Sequence, residues 1–435
     1  MTDYQITNIK SRWILDSRGN PTVETDVYSN EIFARAAVPS GASTGVSEAL
    51  ELRDQGAAFL GKHVTVAVSN VNQILGKKLK GFDVREQEKI DKEMIKIDGT
   101  HNKSNLGANA ILSVSLSVAK LAAKLSEKPL HAYLYELSFQ KARKDYLMPL
   151  PCCNIINGGE HAGNNLAVQE FMVLPFGAKT FSKALQNVVE VYQTLKLLLK
   201  EKYGKSAINV GDEGGFAPNL STTDEAIEII VKAIEKAGFK MGTDFYIGMD
   251  AAASEFFNGE VYEIDGRKLD EAELLNYYLE IIEKYPYVKS IEDPFDQSSF
   301  TGFAQFTNKI DKAIQIVDDD LTVTNIDILR KAINEGAGNA LLLKVNQIGS
   351  LTEAIDASKM AFKNDFNVMV SHRSGETEDS FIADLAVGLC AGQIKSGAPC
   401  RSERNSKYNQ LLRIEELLGK DSHYPESFDS WKKFQ

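Results

Sequence analysis

Short apolar runs, each stopping at a charged or imidazole side chain, recur through the second part of this 435-residue chain. Phe245-Tyr-Ile-Gly-Met-Asp250 is one, and Val288-Lys-Ser-Ile-Glu292 is the next. Ala313-Ile-Gln-Ile-Val317 runs into Asp318, Asp319 and Asp320. Ala340 to Lys344, Val368 to His372 and Gln393 to Lys395 repeat the form. Amphipathic helical stretches such as 351–362 and 379–390 lie between them. Strand alternating with helix implies a parallel sheet. A spacing of roughly 25 residues for most units, over roughly 290 residues, predicts an α/β fold closed into a (β/α) barrel. A doubly wound open sheet is the structural alternative. In a barrel the active site gathers at the C-terminal ends of the strands, where every polar residue just named would stand.

The N-terminal part has a different texture. Thr22-Val-Glu-Thr-Asp-Val-Tyr28 alternates apolar and polar residues after the turn signal Asn20-Pro21, which predicts a half-buried antiparallel strand. Pro39-Ser-Gly-Ala-Ser-Thr-Gly45 is a loop, and helices dominate from about Val64 to Leu137. Strands followed by helices predict a smaller α+β domain at 1–138, with the barrel at 139–435. The charged stretch Lys141-Ala-Arg-Lys-Asp145 leads across the junction. Thr222-Thr-Asp-Glu225 fits a capping box opening a helix closed by Gly238.

Composition narrows the class. With 43% hydrophobic and 25% charged residues the chain can bury a large core. A net charge of −11 and the lack of a basic run argue against a nucleic-acid surface, though not against a small phosphorylated substrate held by a positive pocket. Four cysteines without a C-x-x-C pair exclude a cysteine zinc site and fit reduced structural thiols in the cytoplasm. No apolar leader opens the sequence, so no secretory signal is predicted. Residues 106–118, interrupted by Lys120, are too short for a membrane span and suit a buried helix.

Asp250, Glu292 and Asp319 end three successive runs. They are hard oxygen donors without histidine or cysteine beside them, which suits Mg²⁺. Helix capping is the alternative for any one of them. Lys344 and Lys395 also end strands, and mutual repulsion, a nearby cation and desolvation would depress a lysine pKa enough to make a base. Val210-Gly-Asp-Glu-Gly-Gly215 sets two acids in a glycine-rich turn, and Asn157-Gly-Gly-Glu-His161 holds a loop histidine. Ser371-His-Arg-Ser-Gly375 offers donors for a phosphate clamp. Walker and dinucleotide motifs and a G-x-S-x-G elbow are absent.

Taken together, Asp16-Ser-Arg-Gly-Asn-Pro-Thr-Val-Glu24, Val38-Pro-Ser-Gly-Ala-Ser-Thr-Gly45, Gln169-Glu-Phe-Met172, Val210 to Gly215, Ser290-Ile-Glu-Asp-Pro294, Leu343-Lys-Val-Asn-Gln-Ile-Gly349, Ser371 to Asp379 and Tyr408-Asn-Gln-Leu-Leu-Arg-Ile-Glu415 resemble the enolase family over nearly the whole chain. The resemblance implies a barrel of modified ββαα(βα)6 order and the reversible dehydration of 2-phospho-D-glycerate to phosphoenolpyruvate with two Mg²⁺ per site. By motif, it implies that Asp250, Glu292 and Asp319 hold the first metal and Ser43, on a mobile loop, the second. Lys344 matches the base and Glu213 the acid, with Glu170 and His161 in support and Gln169 nearby. Lys395 and His372 match substrate-binding residues, and Arg373 and Ser374 match phosphate contacts.

The family pattern is altered at Ser47, Glu160, Ala251, Ala253 and Asp318, and 258–269 is short. None of these removes a catalytic group. Two rivals stay open: another metal-dependent lyase or racemase on the same barrel, and a silent paralogue that binds other proteins at a cell surface. Intact Lys344 and Glu213 argue against silence. The resemblance also implies a homodimer or an octamer of dimers. Asp318 is expected to point away from the metal, because adjacent strand residues face opposite sides.

Overall fold

The computed structural model describes residues 4–42, 45–159, 162–310 and 314–434. Three antiparallel strands, Asn8–Leu15, Pro21–Ser29 and Ile32–Ala37, make the N-terminal sheet. The central strand is buried on both faces, where its alternation predicted one wet face. On one face Thr25 meets Ser113 of the helix Ala108–Leu125, their hydroxyls 2.7 Å apart. On the other, Arg12 and Arg35 close over Glu24 and Asp26, with Arg35 Nε 2.6 Å from Asp26 Oδ1. The polar half of the pattern is covered by guanidinium groups rather than water.

The helix Ala108–Leu125 runs past Lys120, which pairs with Asp379 instead of ending it. It is long and apolar enough to cross a membrane by length and composition, but 89% of it is buried inside the fold. Its all-round apolar surface is that of a core helix.

Eight strands close the barrel in chain order: Leu150–Asn157, Glu170–Leu174, Tyr246–Asp250, Val288–Glu292, Gln315–Asp318, Ala340–Leu343, Asn367–Ser371 and Gly392–Lys395. The eighth pairs with the first. The second strand runs antiparallel to both neighbours, and the other pairs are parallel. Two helices, Phe181–Tyr203 and Thr223–Lys236, precede the third strand, after which strand and helix alternate. This is the ββαα(βα)6 order, and the open-sheet alternative is excluded. The recurrence seen in the sequence begins only at the third strand, since no α-helix stands between the first two among the described residues.

Local chemistry sets the helix ends. Thr222 caps its helix through the Glu225 amide, but the Glu225 carboxylate accepts from Ser221 and Tyr203, so the reciprocal half of the predicted capping box is missing. A complete capping box opens Glu271–Lys284, between Asp270 and Glu273.

The two parts meet over the barrel's rim. Ser40 and Gly375 exchange backbone hydrogen bonds of 2.7 and 2.8 Å. A Cβ on Gly375 would lie 2.6 Å from Asp16 Oδ2 and 2.8 Å from the Ser40 carbonyl, so only glycine permits this approach.

Candidate active site

Strand direction decides which residues reach the rim. Asp250 and Glu292 end adjacent parallel strands and stand in register. Asp319 directly follows the fifth strand, Lys344 the sixth and His372 the seventh, and Lys395 ends the eighth. Glu170 begins its strand, yet that strand runs backwards, so Glu170 faces the same rim in register with Asn157 and Asp250. Gln169 joins it there, its amide bonded to the Asp250 carbonyl at 3.0 Å. Gln169, Glu170, Asp250, Asp319, Lys344, His372 and Lys395, with Glu213, Arg373 and Ser374, line one cleft, and Glu292 is buried beneath it.

Ammonium groups answer the carboxylates. Lys395 Nζ lies 2.8 Å from Asp250 Oδ2, 2.8 Å from Glu292 Oε1 and 3.1 Å from Glu170 Oε2. Lys344 is paired with Asp319. The depression expected from the sequence counts on a nearby cation, and the protein's own groups act against it. Burial does pull both lysines down, but Asp319 holds Lys344 above its ordinary value and Asp250, Glu170 and Glu292 hold Lys395 well above. Glu292 is pushed well up by burial and by Asp250, and Glu170 by burial and Glu213. Asp319 goes down despite burial, because Lys344 lies against it.

An acidic cluster beside this set was not foreseen. Asp293, Asp319 and Asp320 bring oxygen atoms within 4.8 Å of one another. Asp293 braces the loop by accepting from the amides of Asp319 at 3.0 Å and Asp320 at 2.8 Å. Burial and Asp319 raise Asp320 to about 7. Asp250, Glu292, Asp319 and this cluster form an oxygen-only donor set suited to a hard divalent cation, and the charge they concentrate in a buried space calls for one.

Glu213 sits across the cleft floor on the loop 210–215. Asn154 Nδ2 donates to its Oε2 at 3.1 Å, and His372 Nε2 lies 3.5 Å from the same atom. The Glu213 carbonyl is 2.4 Å from where a Cβ on Gly397 would stand, and Gly397 has φ +73°. Any side chain there would push the acid's loop away. Burial lowers His372 to about 4, so the imidazole is neutral.

The segment proposed as a phosphate clamp is already engaged. Arg373 holds Glu48 of the N-terminal domain through two hydrogen bonds of 3.0 Å, and Ser374 Oγ accepts from the Ala42 amide at 2.9 Å. Ser371 lines the cleft, with its hydroxyl donating to the His372 carbonyl. Ser43, Glu160 and His161 lie outside the described residues. Glu48, Asn154 and Arg404, which contacts both His372 and the clamp, are site residues that the sequence reading missed. Arg404 stands four residues before the motif that begins at Tyr408, but nothing in a lone arginine shows which pocket it fills.

Buried carboxylates from neighbouring strands, two lysines and an arginine-lined arm under a capping domain define a barrel enzyme for acid–base chemistry on a small anionic substrate. Family models described as "Enolase, N-terminal domain" and "Enolase, C-terminal TIM barrel domain" match residues 6–134 and 145–431. The chain is 56% identical to the enolase of Thermococcus gammatolerans over 97% of both chains. It is 53% identical to that of Methanocaldococcus jannaschii over 98% of both, and 54% to that of Methanosarcina barkeri over 97% of both. The chain belongs to the enolase family, and its activity is that of the glycolytic hydro-lyase, phosphopyruvate hydratase.

Proposed function

We propose that this chain catalyses the reversible dehydration of 2-phospho-D-glycerate with Lys344 as the base, Glu213 as the acid and two Mg²⁺ in each site. The observation that carries the reading is a single cleft lined by both Lys344 and Glu213 together with the carboxylates of Asp250 and Asp319. Asp250, Glu292 and Asp319 would hold the first ion and Ser43 the second. Bound Mg²⁺ supplies Lewis acidity toward the substrate carboxylate and offsets the negative charge of these ligands.

The proton next to a carboxylate is weakly acidic, because its loss makes a doubly charged ene-diolate. Lys395 sets a fixed positive charge where that charge develops. Lys344 would take the proton from carbon 2 as the neutral amine, a form favoured once a cation on Asp319 offsets the charge that holds the ammonium, and this lysine-base chemistry is general to the superfamily. Hydroxide is a poor leaving group, so Glu213 delivers a proton to it. Glu170, His161 and Gln169 support that step, while His372, Arg373 and Ser374 bind the substrate and its phosphate. We place the domain junction at 138/139, the site of action in the cytoplasm and the assembly at a homodimer or an octamer of dimers. Nucleic acid and membrane are not among its partners, and a second role on a cell surface is left outside this reading.

Two variants separate the roles. Glu213→Gln is expected to exchange the carbon-2 proton of 2-phosphoglycerate with deuterated water while forming little phosphoenolpyruvate. Lys344→Ala is expected to lose both reactions. NMR of recovered substrate reads the exchange; exchange that persists in Lys344→Ala and vanishes in Glu213→Gln reverses the assignment. Excess chelator should abolish wild-type turnover reversibly, and full activity in its presence rules out the metal-assisted reading.

A further inference from the structure

The helix Ser402–Leu418 contributes a residue to the site that the mechanism above does not use. Arg404 is fully buried behind the cleft. Its Nη1 lies 2.6 Å from His372 Nδ1 and 2.5 Å from the Arg373 carbonyl. Its Nη2 donates to the carbonyls of Ser374 at 2.6 Å and Asp212 at 3.0 Å. One guanidinium thus touches the clamp, the acid's loop and the imidazole between them. Lys407 and Tyr408, three and four positions on, bury the same helix face and bond to Thr377 and Gly397.

The contact with His372 has a chemical consequence. A guanidinium has five donors, no acceptor, and keeps its charge. The ring nitrogen it faces must therefore offer a lone pair. Imidazolium carries hydrogen on both nitrogens, so it would set N–H against N–H at Nδ1. Only the neutral ring with its hydrogen on Nε2 satisfies the pair. Nε2 is the atom that lies 3.5 Å from Glu213 Oε2.

We propose that Arg404 is a positioning residue that locks His372 in the neutral Nε2–H tautomer, so that a hydrogen-bond donor is always presented to the Glu213 carboxyl. The tautomer follows from the contact alone; its catalytic consequence rests on Glu213 being the acid. Without Arg404 the ring is free to take a hydrogen on Nδ1, which turns Nε2 into an acceptor, or to become imidazolium. The ionisable groups that act on His372 include Glu213, Arg404 and Glu376, and the main-chain amide of His372 is tied to the Lys395 carbonyl. Burial and Arg404 oppose protonation, while Glu213 and Glu376 favour it.

Nitrogen-15 NMR of histidine-labelled protein tests this without turnover. The chain has 6 histidines, so His372→Asn assigns the signal by its loss. Wild type is expected to show a pyridine-type Nδ1 and a pyrrole-type Nε2, unchanged from neutral pH down to about pH 5. Arg404→Lys, which keeps a donor, is expected to retain that pattern. Arg404→Gln is expected to show mixed tautomers or a titrating ring, with kcat down by about tenfold or more. A wild-type His372 carrying hydrogen on Nδ1, or charged at pH 7, overturns the proposal. So does an Arg404→Gln protein that is folded by circular dichroism and keeps the pure Nε2–H form. If Arg404→Gln does not fold, wild type and Arg404→Lys decide the matter. A correct tautomer together with proton exchange that persists in Lys344→Ala and vanishes in Glu213→Gln would instead count against the acid–base assignment.

Discussion

Asp318 carries a carboxyl group that no neighbour among the described residues answers: both its oxygens are buried without a hydrogen-bond partner. It is absent from the cleft lining and packs against Gly338, whose Cβ, if added, would lie 2.0 Å from Asp318 Oδ1. Strand alternation thus sends Asp319 to the rim and Asp318 to the other side, as anticipated. Burial alone pushes its pKa well above the carboxylate range. A buried polar group without a partner costs about 1–3 kcal/mol. Asp318→Ala should therefore raise the thermal midpoint while leaving Mg²⁺ affinity nearly unchanged. Calorimetry with a metal titration checks both, and a tenfold loss of affinity would show that Asp318 tunes the metal. Asp319→Asn next door should do the opposite, weakening Mg²⁺ binding and nearly abolishing turnover.

At the scale of elements, Asp379 works as a clasp. It lies two residues before the helix Phe381–Gly388 and accepts from the Phe381 amide at 2.9 Å. It also accepts from the Ala37 amide at 3.0 Å and pairs with Lys120 at 2.6 Å, so strand, core helix and barrel helix share one carboxylate. Burial pushes its pKa up, but Lys120 and the two amides outweigh that and hold it below the usual range. The sign follows. A carboxylate depressed on folding contributes stability above its unfolded value near ~3.9 and loses it as pH falls through the folded value. Asp379→Asn should cost about 2 kcal/mol at pH 7, with the gap from wild type narrowing in acid. Urea titrations at pH 7 and in acid measure it, and a gap independent of pH would refute the clasp. The barrel's second strand shows a different effect at the same scale: its reversed direction brings Glu170, a first residue, to the rim where the other strands bring their last.

For the molecule as a whole, the capping domain completes the site. Glu48 covers Arg373, Ser40 pairs with Gly375, and Lys103 reaches Glu353 at 3.0 Å. Asp91, buried, accepts from the Thr352 amide at 3.0 Å. Contacts this dense and this buried should couple the two domains, so calorimetry of wild type should give one unfolding transition. Loosening the seam with Asp379→Asn and Glu48→Gln together should split it or lower its cooperativity; two transitions already present in wild type would contradict the coupling.

The sequence by itself determined the features that depend on neighbours along the chain. Apolar runs ending in Asp250, Glu292, Lys344 and Lys395 announced strands and rim residues, because a strand's side chains and its end are set by local order. Family motifs carried the rest of the proposed catalytic set and the ββαα opening. What only the tertiary structure decided depends on groups far apart in sequence. Arg12 and Arg35 turned an alternating strand into a buried one. Asp319, 25 residues before Lys344, supplies the ion pair that acts against the expected lysine shift. Arg404 reaches His372 from 32 residues away. Periodicity reports which face of an element is apolar, but the charge and donors that another element lays against that face exist only after folding.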